Sequence, residues 1–139
     1  MIQRIDHIGI AVSSIAEARV FYEALGLAIE AIEEVPQEGV RVAFLRLGES
    51  RLELLEPLSD ESPIARFLAR RGPGVHHICL ATDDVFAASA ELGAAGLPLL
   101  KETPSRGAEG CWVQFVHPRA AAGVLYELSQ PAREGDGGP

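Results

Sequence analysis

His7 and His77 lie 70 residues apart in matching settings, Ile5-Asp6-His7-Ile8-Gly9-Ile10-Ala11 and Gly74-Val75-His76-His77-Ile78-Cys79-Leu80-Ala81. At the same offset Ile8 matches Ile78, Ala11 matches Ala81, Gly26 matches Gly96 and Leu27 matches Leu97. Farther along the offset becomes 74, pairing Glu53 with Glu127, Leu54 with Leu128 and Pro57 with Pro131. The chain is a duplication whose second copy carries a loop longer by 4 residues. Each copy contributes one histidine and one glutamate in a matching strand setting.

The order of elements is read from periodicity and from end signals. Gln3 to Val12 alternates bulky Ile8, Ile10 and Val12 with His7, Gly9 and Ala11, which predicts a strand with one bulky and one small face. Ser14 with Glu17 forms a capping box for a helix whose apolar stripe is Ile15, Ala18, Phe21, Tyr22 and Leu25, ended by Gly26. Strands are expected over Leu27–Val35, Val40–Leu47 and Arg51–Glu56. Together these make one βαβββ module. Ser62-Pro63 starts a linker helix with Ile64, Phe67 and Leu68 on one side, and Gly72-Pro73-Gly74 stops it.

The second module repeats the plan. It has a strand over Val75–Thr82, then a helix capped by Asp83 or Asp84 with Val85, Ala88, Leu92 and Ala95 inward. Strands follow over Leu97–Lys101, Cys111–Val116 and Val124–Ser129. Glu102 to Gly110 reads as a polar loop, and Arg133–Pro139 as a disordered tail. The fold class expected is α+β: two paired βαβββ modules, 1–56 and 75–130, joined by the linker 57–74 and forming a cupped mixed sheet. Residues 1–132 then make a single domain.

Composition narrows the function. With 139 residues and 47% hydrophobic, the chain is long enough for a real core. A net charge of −8 argues against non-specific nucleic-acid binding, which draws on lysine and arginine. No apolar run is long enough to cross a bilayer, and no basic stretch followed by an apolar one marks a secretory signal. Cys79 and Cys111 form no CxxC pair, so buried free thiols in a reducing cytoplasm are expected.

Strand side chains alternate faces, and this singles out four residues. His7 shares its face with Gly9 and Ala11, and His77 with Cys79 and Ala81. Glu53 stands opposite Leu52 and Leu54, and Glu127 opposite Tyr126 and Leu128. The apolar members need a core, so the ionisable ones point to the other face. Carboxylates on a sheet interior are costly unless something offsets their charge, and a divalent cation does so. Two imidazoles and two carboxylates suit Co²⁺, Mn²⁺, Fe²⁺, Ni²⁺ or Zn²⁺ without a thiolate. His76 falls on the opposite face from His77 and reads as structural. His117 before Pro118 reads as a turn residue, and Cys79 as a small filler.

Paired βαβββ modules carrying His, Glu, His and Glu resemble the vicinal oxygen chelate (glyoxalase) superfamily. Within it the chain resembles the methylmalonyl-CoA epimerase family over about Ile2 to Gln130. The pieces that carry the likeness are Ile5–Val12, Glu53-Leu54-Leu55-Glu56-Pro57, and Asp60-Glu61-Ser62-Pro63-Ile64-Ala65 with Phe67-Leu68. They continue with Gly74–Ile78, Phe115-Val116-His117-Pro118 and Gly123–Leu128. The likeness implies an isomerase that interconverts (2R)- and (2S)-methylmalonyl-CoA by α-proton abstraction through a metal-stabilised enolate. It implies His7, Glu53, His77 and Glu127 as metal ligands, with cobalt expected first and manganese, nickel, zinc or iron also compatible.

Glu127 resembles one acid–base group of that family. Some members place the second, a glutamate, where this chain has Val42, so Glu53, a water or Glu38 must stand in, with Glu53 or the water preferred. Arg66, Arg70, Arg71 and Arg106 are candidates for coenzyme A phosphates. Gln37, Gln114 and the Ser105-Arg106-Gly107 loop are candidates for the acyl carboxylate. A homodimer is expected, with neither nucleic acid nor membrane as partner. Two alternatives stay open: a glyoxalase I-like metal-dependent isomerase acting on a hemithioacetal, and a metal-free small-molecule binding protein on the same scaffold.

Overall fold

The structure, a computed structural model, describes residues 1–132; the tail expected over Arg133–Pro139 lies outside them. The chain divides into two compact units, one of His7–His76 and one of Met1–Asp6 with His77 onward.

The unit of His7–His76 contains the second half of β1 (Ile2–Ala11), α1 (Ile15–Ala24), β2 (Ala31–Val35), β3 (Val40–Leu47), β4 (Ser50–Pro57) and α2 (Pro63–Arg71). Its strands run in the order β2-β3-β4-β1, antiparallel except for the parallel pair β1 and β4. Val12, Ile15, Ala43, Leu45 and Leu54 form a buried core, joined by Ile10, Ala18, Tyr22, Leu27, Ile29 and Leu52. The helix therefore covers the bulky face of β1, β3 and β4. The Ser14 hydroxyl accepts from the Glu17 amide at 3.2 Å, so the helix begins where its cap predicts.

Two expectations need correction here. The stripe on α1 is narrower than read, because Phe21 and Leu25 are exposed and only Ile15, Ala18 and Tyr22 pack on the sheet. The second strand starts at Ala31, not Leu27. Leu27 and Ile29 join the core, and only the Glu30 amide, donating to the Phe44 carbonyl, leads into the ladder.

The turn from β2 into β3 closes on Gly39 at φ +70°, and a Cβ there would sit 3.3 Å from the Ser62 Cβ. Gly39 thus lets the turn pass close against the cap of α2, where the Ser62 hydroxyl accepts from the Ile64 amide.

The other unit contains the first half of β1, most of β5 (Gly74–Thr82), α3 (Val85–Ala94), β6 (Ser105–Arg106), β7 (Trp112–Val116) and β8 (Tyr126–Gln130). Its order β5-β8-β7-β6 repeats the first plan, with β5 and β8 parallel. Val85, Val116 and Leu128 form its core with Leu80, Ala88, Leu92, Leu99, Trp112 and Tyr126. Asp84, not Asp83, caps α3 by accepting from the Ala87 amide. Ala95, expected inward, is exposed.

The strand expected over Leu97–Lys101 does not form. Pro98 has no amide to give a ladder, and the backbone of the segment meets that of β7 through a Leu99–Val116 bridge and two flanking bonds. The two residues of β6, inside the expected polar loop, take its place in the βαβββ order. The last strand likewise begins at Tyr126.

Leu54 is fully buried at the centre of its core. Leu54→Ala should cost about 3 kcal/mol, typical for a buried leucine whose site cannot collapse. Urea denaturation reads this directly, and an unchanged midpoint would contradict the packing described.

Candidate functional site

In the unit of His7–His76, parallel pairing sets Gly9 beside Glu53 and His7 beside Arg51. Paired residues share a face, so His7, Gly9, Arg51 and Glu53 all lie on the side that α1 does not cover. His7 and Glu53 are 5% and 4% exposed. The His7 Nδ1 lies 3.1 Å from the Glu53 Oε2, and the Arg51 Nη2 donates to the same oxygen at 3.2 Å. Arg51 also rests over the Phe44 ring, 4.9 Å from its centroid. Phe44 is the antiparallel partner of Glu53, so an aromatic ring flanks the carboxylate on its other side. Sequence reasoning missed Arg51, although its place two residues before Glu53 on a strand already puts the two on one face.

The other unit repeats the arrangement. Glu127 pairs with Cys79 on β5 and with Phe115 on β7, on the face opposite Leu80 and Leu128. His77 and Glu127 are each 6% exposed, and their ligand atoms come within 4.8 Å of one another. Phe115 meets the His77 ring edge-on at 6.2 Å. Each unit therefore holds one buried imidazole, one buried carboxylate and a phenyl ring paired across the strand with that carboxylate. The phenylalanines recur with the duplication but were not singled out from sequence.

Other sequence candidates take lesser places. Val42 is 2% exposed and on the Glu53 side of β3, so no proton-transfer group stands at that position. Glu38 ends the short 3-10 turn before Gly39 and is half-buried. Burial, with the nearby Arg71 charge, pushes the His76 imidazole down to about 4, and Phe67 packs edge-on against it at 5.0 Å. His76 is a neutral packing residue at ordinary pH. The His117 Nδ1 accepts from the Arg119 amide at 3.0 Å, which makes it the cap of a turn. Cys79 is fully buried, and burial pushes the half-buried Cys111 thiol up.

Gln114 does not face a ligand. It sits opposite Leu128, fully buried, with Nε2 donating to the Lys101 carbonyl and Oε1 accepting from the Phe115 amide. Gln37 is exposed. Arg106 stacks on Trp112 at 4.0 Å and donates to the Gly110 carbonyl. Arg66, Arg70 and Arg71 are exposed on α2.

These donors fit a divalent metal. Imidazole nitrogens and carboxylate oxygens are ordinary ligands for first-row ions, and all four residues are buried on uncovered sheet faces. His117→Ala, by contrast, should remove only a turn cap. It is expected to lower stability by about 1 kcal/mol in thermal unfolding while leaving metal uptake unchanged.

Comparison with known proteins agrees with this architecture. Residues 6–115 match the family model of the glyoxalase/bleomycin resistance protein/dioxygenase superfamily. The ethylmalonyl-CoA/methylmalonyl-CoA epimerase of Cereibacter sphaeroides is 41% identical, over 94% of this chain and 99% of its own. The mitochondrial methylmalonyl-CoA epimerase of Homo sapiens is 40% identical, over 91% and 73%. A variant of the Streptomyces coelicolor methylmalonyl-CoA epimerase, solved with 2-nitronate-propionyl-CoA, superposes with a TM-score of 0.92 at 38% identity, covering 96% of this chain and 100% of that one. The α+β chain with its two βαβββ modules belongs to the glyoxalase superfamily and, within it, to the methylmalonyl-CoA epimerase family of enzymes.

Proposed function

We propose that the chain interconverts (2R)- and (2S)-methylmalonyl-CoA by taking the C2 proton from one face of the thioester and returning a proton to the other. The observation that carries this reading is the repeated buried imidazole–carboxylate set, one per unit, on the sheet face its helix leaves open. Kinship with epimerases at 40% and 41% identity supports the choice of substrate.

In this reading His7, Glu53, His77 and Glu127 are the ligands for a divalent metal. Family likeness favours cobalt, and the donors also accept manganese, nickel, zinc or iron. Such an ion supplies Lewis acidity that lowers the cost of forming an enolate at C2. The Glu127 carboxylate removes or returns the proton on one face of C2, and Glu53 serves the other. His7 and Arg51, at 3.1 and 3.2 Å, hold the Glu53 carboxylate in one orientation. Phe44 and Phe115, paired across the strands with the two glutamates, keep bulk water from them. Water kept away from C2 cannot scramble the proton between faces.

The same reading takes residues 1–132 as one domain of two modules, 1–56 and 75–130, joined by 57–74. Exposed Ile2, Ile5 and Val75 on β1 and β5 favour self-association as a homodimer. Cys79 and Cys111 form no disulfide, which suits the cytoplasm.

Deuterium exchange at C2 of methylmalonyl-CoA in heavy water tests the reaction. Metal-loaded protein should exchange the proton, chelation should stop exchange, and added cobalt should restore it. A hemithioacetal offered alongside should not turn over. Glu127→Gln should slow exchange on the order of a hundredfold or more, the usual worth of a positioned acid–base group. Wild-type exchange in that variant would remove Glu127 from its role. Metal analysis should find one ion per chain, with His77→Ala retaining far less.

A further inference from the structure

Arg51 is a cation built into the imidazole–carboxylate set of the unit His7–His76. Its side chain is only 14% exposed. Its strand partner on β1 is His7, its guanidinium lies over the Phe44 ring at 4.9 Å, and its Nη2 donates to the Glu53 Oε2 at 3.2 Å. Phe44 is itself buried. A guanidinium shielded this far from water holds its carboxylate more firmly than a surface pair does, because little solvent screens the attraction.

The oxygen that receives Arg51 is also the one that faces the histidine. The His7 Nδ1 lies 3.1 Å from the same Glu53 Oε2. A metal ion ligated by this unit's imidazole and carboxylate therefore meets an oxygen already bonded to Arg51. The two positive groups draw on one carboxylate charge and repel each other across it. The matching position in the second copy, at the offset of 74, is Leu125. A leucine thus stands two residues before the other glutamate, and the guanidinium is a difference between the copies rather than a requirement of the strand.

We propose that Arg51 competes with the divalent ion for Glu53. The guanidinium keeps the buried carboxylate paired while the chain carries no ion, and for the same reason it loosens the grip on an ion that binds. The inference rests on the metal-ligand reading of His7, Glu53, His77 and Glu127, and adds a residue that sets how tightly the ion is held. A role in orientation alone predicts the opposite sign. A donor that only aims Glu53 at the ion strengthens binding, and its loss weakens it.

Calorimetric titration of chelator-stripped protein with Co²⁺ reads that sign. Arg51→Leu and Arg51→Gln should each bind cobalt about tenfold or more tightly than the wild type, as removal of a like charge predicts. Arg51→Gln keeps a hydrogen-bond donor without the charge, so it separates charge from orientation and decides the outcome. Thermal unfolding gives a second readout. With chelator present both variants should melt roughly 5 °C or more below the wild type, because the buried carboxylate has lost its cation. Saturating cobalt should narrow that gap, since a more tightly bound ligand adds more stability. If Arg51→Leu fails to fold, Arg51→Gln carries both measurements.

Weaker or unchanged cobalt binding by Arg51→Gln would make Arg51 an orienting or packing residue and overturn the proposal. That result, in a wild type that binds cobalt, leaves the metal-ligand reading standing. A wild type and variants that all take up no cobalt would remove the metal-ligand reading itself, and this inference with it.

Discussion

A carboxylate buried on a sheet costs on the order of several kcal/mol unless charge and hydrogen bonds offset it, and this chain buries two. Glu53 and Glu127 are 4% and 6% exposed. Neither can turn away, because its strand neighbours Leu52 and Leu54, or Tyr126 and Leu128, are committed to the helix-covered side. Alternation then fixes the carboxylates on the other face. Core packing and site formation are therefore one event. Wherever the leucines find their helix, the glutamates are delivered to the uncovered face beside a histidine.

That coupling explains what could be read from residues alone. The duplication, the parity of His7, Glu53, His77 and Glu127, and the caps Ser14 and Ser62 all depend on local spacing or local hydrogen bonds. The chain carries both in its one-dimensional order. Pairing register is different, since nothing local in Leu97–Lys101 says that it will run beside β7 without joining it. Its apolar residues look like a strand because Leu99 does enter the core. Pro98 withholds the amide that would extend the ladder, and the two-residue β6 takes over. Phe21 and Leu25 illustrate the same limit on a helix. Their spacing suits a wide stripe, but a ten-residue helix on a twisted sheet buries a narrow one.

Within the site, what escaped sequence reading is what lies between strands rather than along them. Arg51 matters through its reach to the Glu53 oxygen, and Phe44 and Phe115 through their cross-strand partners. Gln114 is a sequence candidate for the acyl carboxylate, yet its Nε2 fastens the Lys101 carbonyl to β7 and its Oε1 accepts from the Phe115 amide. A buried glutamine in a strand pattern can serve the backbone as well as a ligand, and composition does not distinguish the two. The same fastening holds the Lys101 backbone beside Phe115 and so bears on where its ammonium lies.

The two halves, though built to one plan, are chemically unequal. The Glu53 oxygen has an imidazole at 3.1 Å and a guanidinium at 3.2 Å, which together fix its direction. Glu127 has Cys79 and Phe115 as its strand partners. One plan thus leaves the two carboxylates in unlike surroundings. Duplication placed a carboxylate on the same face of each copy, and Arg51 beside Glu53 shows where the copies diverged, since at the offset of 74 its counterpart is Leu125.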